Sequence, residues 1–147
     1  MTIRCAKENE LKRINQVIPK VFEEAMMGML NLSDASLRDM SNQLLMQGAK
    51  YYVLIEDHVF KGFVLIDEKT DDFIQQSYGF IYELYVFETY RRQGVAEKLI
   101  DFVNGYFKSQ EIDEVRLNVH VQNKAKLLYE KMGFQERNVT MSMNFKK

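Results

Sequence analysis

Hydrophobic residues recur along the chain at two spacings, and these spacings predict alternating strands and helices. The short run at residues 2–6 is typical of an opening strand. From Glu8 onward the apolar residues recur three and four positions apart, which predicts a first helix. Pro19 lies inside that pattern and is expected to kink or split the helix, because proline lacks a backbone N–H. Ser33 and Asp34 can cap a second helix, which Gly48 ends.

The central part of the chain is rich in residues that favour β-structure. The runs Tyr51–Ile55 and Val59–Ile66 predict two strands joined as a hairpin. The segment Asp67–Ser77 is polar and predicts a loop. Tyr78–Phe87 follows it and is the longest candidate strand, rich in Tyr, Ile, Phe and Val.

The last third of the chain alternates helix and strand again. An amphipathic segment that begins at Val95 predicts a third helix, and Val115–Val119 predicts a strand. Asn123–Met132 predicts a fourth helix, which Gly133 ends. Glu136–Phe145 alternates apolar and polar residues and predicts a final strand or pair of strands. This order of elements predicts an α/β fold, in which helices cover a mixed sheet.

Composition narrows the class of protein without indicating a chemistry. The chain has 147 residues, 46% of them apolar, which suffices for one sizeable core and excludes intrinsic disorder. A net charge of -1 excludes a global field that would attract nucleic acid or anionic membrane. One cysteine and two separate histidines give neither a disulfide framework nor a metal cluster. With no long apolar run, we expect a single cytoplasmic domain over residues 1–147, without metal, nucleic acid or membrane partner.

A basic turn that contains glycine joins the longest strand to the third helix. Residues 91–96 read Arg-Arg-Gln-Gly-Val-Ala. The free N–H groups and the dipole of a helix start attract an anion, which Gly94 lets approach and which Arg91 and Arg92 surround with charge. The spacing fits neither the P-loop nor the dinucleotide-binding pattern, which disfavours a nucleotide binder of those kinds. For this segment alone, a basic turn with glycine there for steric reasons is the alternative.

Three segments together resemble the GNAT acyltransferase superfamily. Residues 91–96 match its signature Gln/Arg-x-x-Gly-x-Gly/Ala, and Ile-Tyr-Glu-Leu-Tyr-Val at residues 81–86 resembles the strand before that signature. Residues 123–134 are close to a third family segment, which includes Ala-x-x-Leu-Tyr-x-x-x-Gly-Phe. One departure is Glu88, where the family often has proline. The resemblance implies a mixed, mainly antiparallel sheet of six to seven strands with helices on both faces.

The resemblance also implies that acetyl-CoA binds as the co-substrate. Its pyrophosphate is expected on the backbone of the turn, and its pantetheine arm along the strand edge at residues 84–86. That edge is exposed because the strand near Tyr82–Val86 and the strand near Leu117–Val119 are expected to part. The cofactor-binding residues implied are Leu84, Tyr85, Val86, Arg91, Arg92, Gln93, Gly94, Val95, Ala96 and Asn123.

Two residues are candidates for acid–base catalysis of acyl transfer. Tyr129 is the candidate acid because a phenol pKa of ~10 lies near that of a thiol leaving group. The alternative is a core tyrosine on a packed helix face. Glu83 is the candidate base because burial in an apolar strand raises a carboxyl pKa. The alternatives are a solvent-facing Glu83 and water as the base. The N–H of Val86 is expected to stabilise the oxyanion.

The function expected is that of an N-acetyltransferase, which moves an acetyl group to a primary amine of a small molecule or peptide by direct attack in a ternary complex. A catalytically silent, regulatory acyl-CoA-binding module is the alternative. The methionine-rich link at residues 23–32 predicts a partly apolar acceptor pocket with Glu23 or Glu24 at its rim. A helix end packed in the core is the other interpretation of that link. The acceptor, the acyl chain length and a homodimer are left open.

Overall fold

The structure is a computed structural model, and it describes residues 1–146. Within these residues a five-stranded sheet lies between helices. The elements are β1 (Thr2–Cys5), α1 (Glu8–Ala25), α2 (Asp34–Met46), β2 (Lys50–Glu56), β3 (Val59–Asp71), β4 (Gln76–Val86), a short 3-10 helix (Glu88–Tyr90), α3 (Val95–Ser109), β5 (Val115–Leu117) and α4 (Ala125–Lys131).

The strands lie side by side in the order in which they occur along the chain. The first four pair antiparallel, and β5 pairs parallel with β4. The expected α/β fold with a mixed, mainly antiparallel sheet is therefore confirmed. The expected number of six to seven strands is wrong, since the described residues form five.

The difference lies at the C-terminal end, where the expected strand or strands over Glu136–Phe145 are absent from the described structure. The apolar residues of this alternating segment, Val139, Met141, Met143 and Phe145, are all exposed. An alternating segment becomes a strand only where a neighbouring edge supplies backbone hydrogen bonds. The nearest strand, β5, has only three residues and offers few such groups.

The hairpin between β3 and β4 is longer than the sequence predicts. The segment Asp67–Ser77 was expected to be a loop, but β3 continues to Asp71 and β4 begins at Gln76. Backbone pairing extends to Asp71 opposite Gln76. Antiparallel strands can leave one face in water, so a polar composition does not prevent pairing here.

Each face of the sheet is covered by a separate apolar core. On one face, Ile14 and Ile18 of α1 and Leu37 of α2 pack against Phe63 of β3. On the other face, α3 packs against β2, β3 and β4 through Val95, Leu99, Val103 and Phe107. The helices therefore lie on both faces, as a sheet with two apolar sides requires.

Proline does not split the first helix. The helix runs without interruption from Glu8 to Ala25, so the expectation of a split at Pro19 is wrong. Proline leaves the carbonyl of residue Asn15, four positions earlier, without its helical donor. Nε of Arg38 in α2 donates to that carbonyl at 2.8 Å. The neighbouring helix thus satisfies the acceptor that Pro19 leaves free.

A bulge in β4 creates an open strand edge. Ile81 lies opposite Ile66 and Glu83 opposite Leu65, so Tyr82 is an extra residue without a partner in β3. Bulges bend a strand and end its pairing on one side. Strand β5 pairs with β4 only over residues 79–81. Beyond the bulge the two strands part, as expected, and this opening determines where a ligand can reach the sheet.

Candidate active site

A cavity of about 320 Å³ opens beside the C-terminal end of β4. Most of the residues implied as cofactor-binding line it, together with one of the two catalytic candidates. These lining residues are Leu84, Tyr85, Val86, Arg91, Arg92, Gly94, Val95, Ala96 and Tyr129. Gln93 and Asn123 are not in contact with the cavity, although they belong to the same two segments.

The open edge of β4 directs a backbone donor into this region. The N–H of Phe87 donates to the carbonyl of Lys61 at 3.0 Å, toward β3. Since successive N–H groups of a strand point to opposite edges, the N–H of Val86 points away from β3 toward the open edge. Strand β5 does not pair with β4 at this level. The Val86 N–H is therefore placed to meet a ligand.

The start of α3 adds a second set of backbone donors. Gly94 has a φ of 79°, the left-handed conformation that turns the chain from the 3-10 helix into α3. A Cβ added at Gly94 would meet no other atom within 4 Å, so the space beside its backbone is open. The helix begins with the bond from the N–H of Lys98 to the carbonyl of Gly94, at 3.1 Å. The N–H groups before Lys98 lack helical acceptors and can receive an anion.

The two arginines of the turn have different surroundings. Arg92 is exposed and forms no ion pair with any described residue. Arg91 is engaged: its Nη2 donates to both carboxylate oxygens of Glu24 at 3.0 and 2.9 Å. Its Nε donates to the carbonyl of Val86 at 2.8 Å. The cation that is free to meet a phosphate is therefore that of Arg92.

Tyr129 lies on α4 with its phenol at the cavity. Burial raises the pKa of the phenol, which keeps the group protonated at neutral pH. The hydroxyl has no hydrogen-bond partner among residues 1–146, while the ring packs edge-on against Phe134 with centroids 6.0 Å apart. Tyr129 as a whole is half-buried, and a phenol with an unused donor at a cavity can protonate a leaving group.

Glu83 is buried on the face of β4 that carries α2, and it does not line the cavity. The hydroxyl of Ser41 donates to its carboxylate at 2.6 Å, and the hydroxyl of Tyr51 donates to it at 2.5 Å. Burial raises the pKa of Glu83, and the two hydrogen bonds only partly oppose this effect. The solvent-facing alternative is therefore wrong, whereas the role of Glu83 as a base stays a prediction.

Asn123 acts as a cap of the last helix. Its Oδ1 accepts a hydrogen bond from the N–H of Ala125 at 2.9 Å. This bond satisfies one of the free donors at the start of α4. The helix that carries Tyr129 is thereby anchored, while contact of Asn123 with a pantetheine arm stays a prediction.

Four cavity residues were missed by the sequence reasoning, one of them Glu97 in the first turn of α3. Ala125 and Leu128 share the cavity with Tyr129, and their spacing of three and four positions places all three on one face of α4. That spacing was a usable signal. Tyr90 also lines the cavity. Tyr90 lies in the short 3-10 helix, where neither the spacing of apolar residues nor a sequence motif indicates a site residue.

No group of three or more His, Cys, Asp and Glu side chains in residues 1–146 is arranged to hold a metal ion. None of the helices described is both long and apolar enough to span a bilayer.

Two curated relatives match part of the chain. The uncharacterized N-acetyltransferase YycN of Bacillus subtilis is 37% identical over 68 residues, which are 46% of this chain and 44% of that protein. N-alpha-acetyltransferase 30 of Saccharomyces cerevisiae is 42% identical over 57 residues, which are 38% of this chain and 32% of that protein. The chain thus matches less than half the length of either relative.

Solved structures, some of them named as acetyltransferases, share the fold over nearly the whole chain. The BH1408 protein of Bacillus halodurans superposes with a TM-score of 0.84 at 20% identity, over 99% of this chain and 100% of that one. An aminoglycoside antibiotic 6'-N-acetyltransferase of Acinetobacter haemolyticus superposes with a TM-score of 0.74 at 23% identity, over 100% of this chain and 99% of that one. A predicted acetyltransferase of Clostridium acetobutylicum, solved with acetyl-CoA, superposes with a TM-score of 0.71 at 18% identity, over 97% of this chain and 95% of that one. At these identities the likeness establishes the fold alone.

The fold and the site together define an acetyltransferase-like protein. The family model described as an acetyltransferase (GNAT) domain matches residues 19–145. The chain belongs to the GNAT acetyltransferase family, so the resemblance found in the sequence is confirmed.

Proposed function

We propose that the protein is an N-acetyltransferase that moves an acetyl group from acetyl-CoA to a primary amine by direct attack in a ternary complex. One observation carries this proposal. A single cavity brings together the outward N–H of Val86, the N-terminus of α3 and the unpaired phenol of Tyr129. Thioester aminolysis needs a donor for the developing oxyanion, a site for the CoA phosphates and an acid for the thiolate.

The residues present fit the phosphates of a CoA thioester. The open space beside Gly94 allows a phosphate to reach the backbone N–H groups at the start of α3. Arg92, exposed and without an ion pair in the described residues, supplies charge next to them. When bound, the co-substrate supplies an activated acetyl group as its thioester. Leu84, Tyr85 and Val86 would hold the pantetheine arm along the open edge of β4.

The residues of this chain would then stabilise charge at two atoms. The N–H of Val86 would donate to the thioester oxygen as negative charge develops there. The phenol of Tyr129 would give a proton to the departing sulfur, and burial helps because it keeps the phenol neutral until then. The acceptor amine must lose a proton, since an alkylammonium has a pKa of ~10.

The base that receives this proton is Glu83 or water. The raised pKa of Glu83 makes its carboxylate a stronger base than an ordinary carboxylate, because burial disfavours the charged form. Its burial beneath α2, with Ser41 and Tyr51 as donors, means that any transfer to it must pass through intervening groups. Water is the alternative because the cavity is open to solvent.

The acceptor we propose is a cationic amine with an apolar portion. Four apolar side chains of the link between α1 and α2 are exposed: Met26, Met27, Met29 and Leu32. Exposure favours a flexible binding surface over a helix end packed in the core. Glu24, which precedes these residues at the end of α1, lines the cavity. The aminoglycoside and N-alpha acetyltransferases among the similar proteins are named for amine acceptors, which supports an amine but not its apolar portion.

The experiment has two stages on the intact protein. Calorimetry measures binding of acetyl-CoA, and release of free thiol is then followed with polyamines, amino acids, aminoglycosides and peptides. Thiol release with a cationic amine supports the proposal, and mass spectrometry identifies the acetylated product. Binding without release from the whole panel favours a silent acyl-CoA-binding module. Acetylation of compact anionic acceptors alone would contradict the proposed acceptor class.

A further inference from the structure

Two ion pairs of opposite direction join α1 to the segment between β4 and α3. Nζ of Lys20 lies 2.9 Å from Oε1 of Glu88. One helical turn later in α1, Glu24 pairs with Arg91. Nη2 of Arg91 donates to Oε1 and Oε2 of Glu24 at 3.0 and 2.9 Å. Each element thus supplies one acid and one base, but only the second pair lines the cavity.

Glu24 occupies a position that helix electrostatics disfavours. It lies in the last turn of α1 beside Glu23, and that turn contains no basic residue. The C-terminus of a helix carries partial negative charge, so a cation is favoured there and a carboxylate is not. Departures of this kind are expected where function constrains a residue. The compensating cation comes from Arg91, in another element.

Arg91 connects this carboxylate to the end of β4. Its Nε donates to the carbonyl of Val86 at 2.8 Å, and its guanidinium lies over the ring of Tyr85 with 5.2 Å between guanidinium carbon and ring centroid. Beyond the bulge this end of β4 has no pairing with β5. The hydrogen bond from Arg91 therefore restrains backbone that lacks a neighbouring strand on one side.

We propose that Glu24 is a positioning residue for acyl transfer. It holds Arg91 on the carbonyl of Val86, and this fixes the backbone whose N–H faces the thioester oxygen. The inference rests on the proposed function and assigns the two arginines separate tasks. Arg92 meets the phosphates of acetyl-CoA, whereas Arg91 orients the strand end. A small displacement of an oxyanion donor is costly, since transition-state stabilisation depends on preorganised geometry.

The chain offers a matched control for this claim. The side chains of Glu24 and Arg91 are 38% and 36% exposed, so their ion pair contributes little to folding and its loss leaves the fold intact. The pair Lys20–Glu88 joins the same two segments and is also solvent-accessible. Glu88 does not line the cavity, so Glu88→Gln removes that pair and leaves the residues that line the cavity in place. This variant therefore tests whether loss of any ion pair between α1 and the segment after β4 lowers the rate, or only loss of the pair that holds Arg91 on Val86.

The experiment compares wild type with Glu24→Gln, Arg91→Lys, the double variant and Glu88→Gln. Steady-state kinetics gives kcat and KM, and calorimetry gives the Kd of acetyl-CoA. We expect Glu24→Gln and Arg91→Lys each to lower kcat about tenfold with the Kd of acetyl-CoA unchanged within about twofold. The double variant should be no slower than the single ones, because both changes remove the same restraint. Glu88→Gln should match wild type.

Four outcomes would overturn the inference. The first two are a wild-type kcat in Glu24→Gln and a fall in the kcat of Glu88→Gln as large as that in Glu24→Gln. The others are a loss of kcat in the double variant equal to the product of the single losses, and a Glu24→Gln variant that binds acetyl-CoA more weakly at unchanged kcat. Failure of the proposed function itself is distinct, because wild type would then release no thiol. The amide resonance of Val86 in the free protein serves as a readout that needs no turnover. It should shift or broaden in Glu24→Gln and not in Glu88→Gln, and an unchanged resonance in Glu24→Gln would refute the restraint.

Discussion

At the scale of single residues, neighbouring side chains of the same type have different environments. Arg91 and Arg92 are adjacent and equally charged, yet one is held by Glu24 and Val86 and the other is exposed. The sequence placed both around the phosphates, because both are charged and both belong to the segment that matches the family signature. The left-handed φ of 63° at Arg92 directs consecutive side chains apart.

Charge reversal at Arg92 tests the proposed phosphate site. Arg92→Glu is expected to weaken binding of acetyl-CoA about tenfold or more, because an exposed cation near the phosphates becomes an anion. The loss should shrink at high salt, since exposed charges are screened. Calorimetry at two salt concentrations measures it. Lys12→Glu, the same reversal at an exposed position of α1, is the control and should leave the affinity unchanged.

Removal of one oxygen tests the role of Tyr129. Tyr129→Phe should lower kcat about 100-fold with little change in the Kd of acetyl-CoA, because general acid catalysis is lost while the ring packing remains. Stopped-flow or steady-state thiol release gives the rate. Tyr78→Phe removes a phenol outside the cavity and should be silent. A wild-type rate in Tyr129→Phe would exclude Tyr129 as the acid.

At the scale of elements, the site depends on how closely β4 packs against α3. Gly79 of β4 lies against the ring of Phe107, and a Cβ there would overlap that ring. The ring is fully buried and cannot move without displacing its neighbours. This contact holds the start of β4 against α3, while the bulge at Tyr82 opens its other end.

A pair of glycine substitutions tests this packing. Gly79→Ala should destabilise the fold by about 1–3 kcal/mol, the usual cost of overpacking a core. Gly105→Ala, in α3 with open space around it, should instead stabilise the fold by about 0.5–1 kcal/mol, because alanine favours a helix. Urea unfolding of both variants measures the difference. Equal stabilities would show that β4 and α3 are less tightly packed than the structure has them.

At the scale of the whole molecule, two carboxyl groups should make folding stability depend on pH in opposite directions. Burial raises the pKa of Glu83 in the folded state, so the unfolded state binds fewer protons above the ordinary pKa. Glu83 therefore lowers stability as pH rises from about 4.5 through its folded pKa. Lys98 and Lys61 lower the pKa of Glu56 to about 2, and its stabilising contribution is lost as pH falls from 4.5 toward that value.

Thermal unfolding from pH 3 to pH 9, a range of roughly six units around these pKa values, tests this linkage. Glu83→Gln should remove the loss of Tm that Glu83 contributes as the pH rises above about 4.5. Glu56→Gln should instead remove part of the decline that occurs toward acid. A Glu83→Gln profile parallel to that of wild type would mean that Glu83 titrates normally in the folded protein.

Much of the fold was predictable because it rests on local pattern. Periodicity located the helices and the main strands, and Ser33 caps α2 through a hydrogen bond from the N–H of Ser36 at 3.1 Å. The hydrophobic pattern did not predict strand pairing correctly where pairing depends on a second segment as well as on the first. It missed the extension of β3 and β4 through Asp67–Ser77, and it predicted strand in Glu136–Phe145, where no neighbouring edge pairs with the chain.

The sequence by itself determined the family of this protein and the segments that build its site, because motif spacing and hydrophobic period are carried by consecutive residues. Only the tertiary structure decided that the side chain of Glu83 meets Ser41 and Tyr51 and that Glu24 meets Arg91. It also decided that Tyr129 shares one cavity with the end of β4. These contacts join residues far apart along the chain. Their geometry follows from the packing of whole elements against the sheet, which no local pattern encodes.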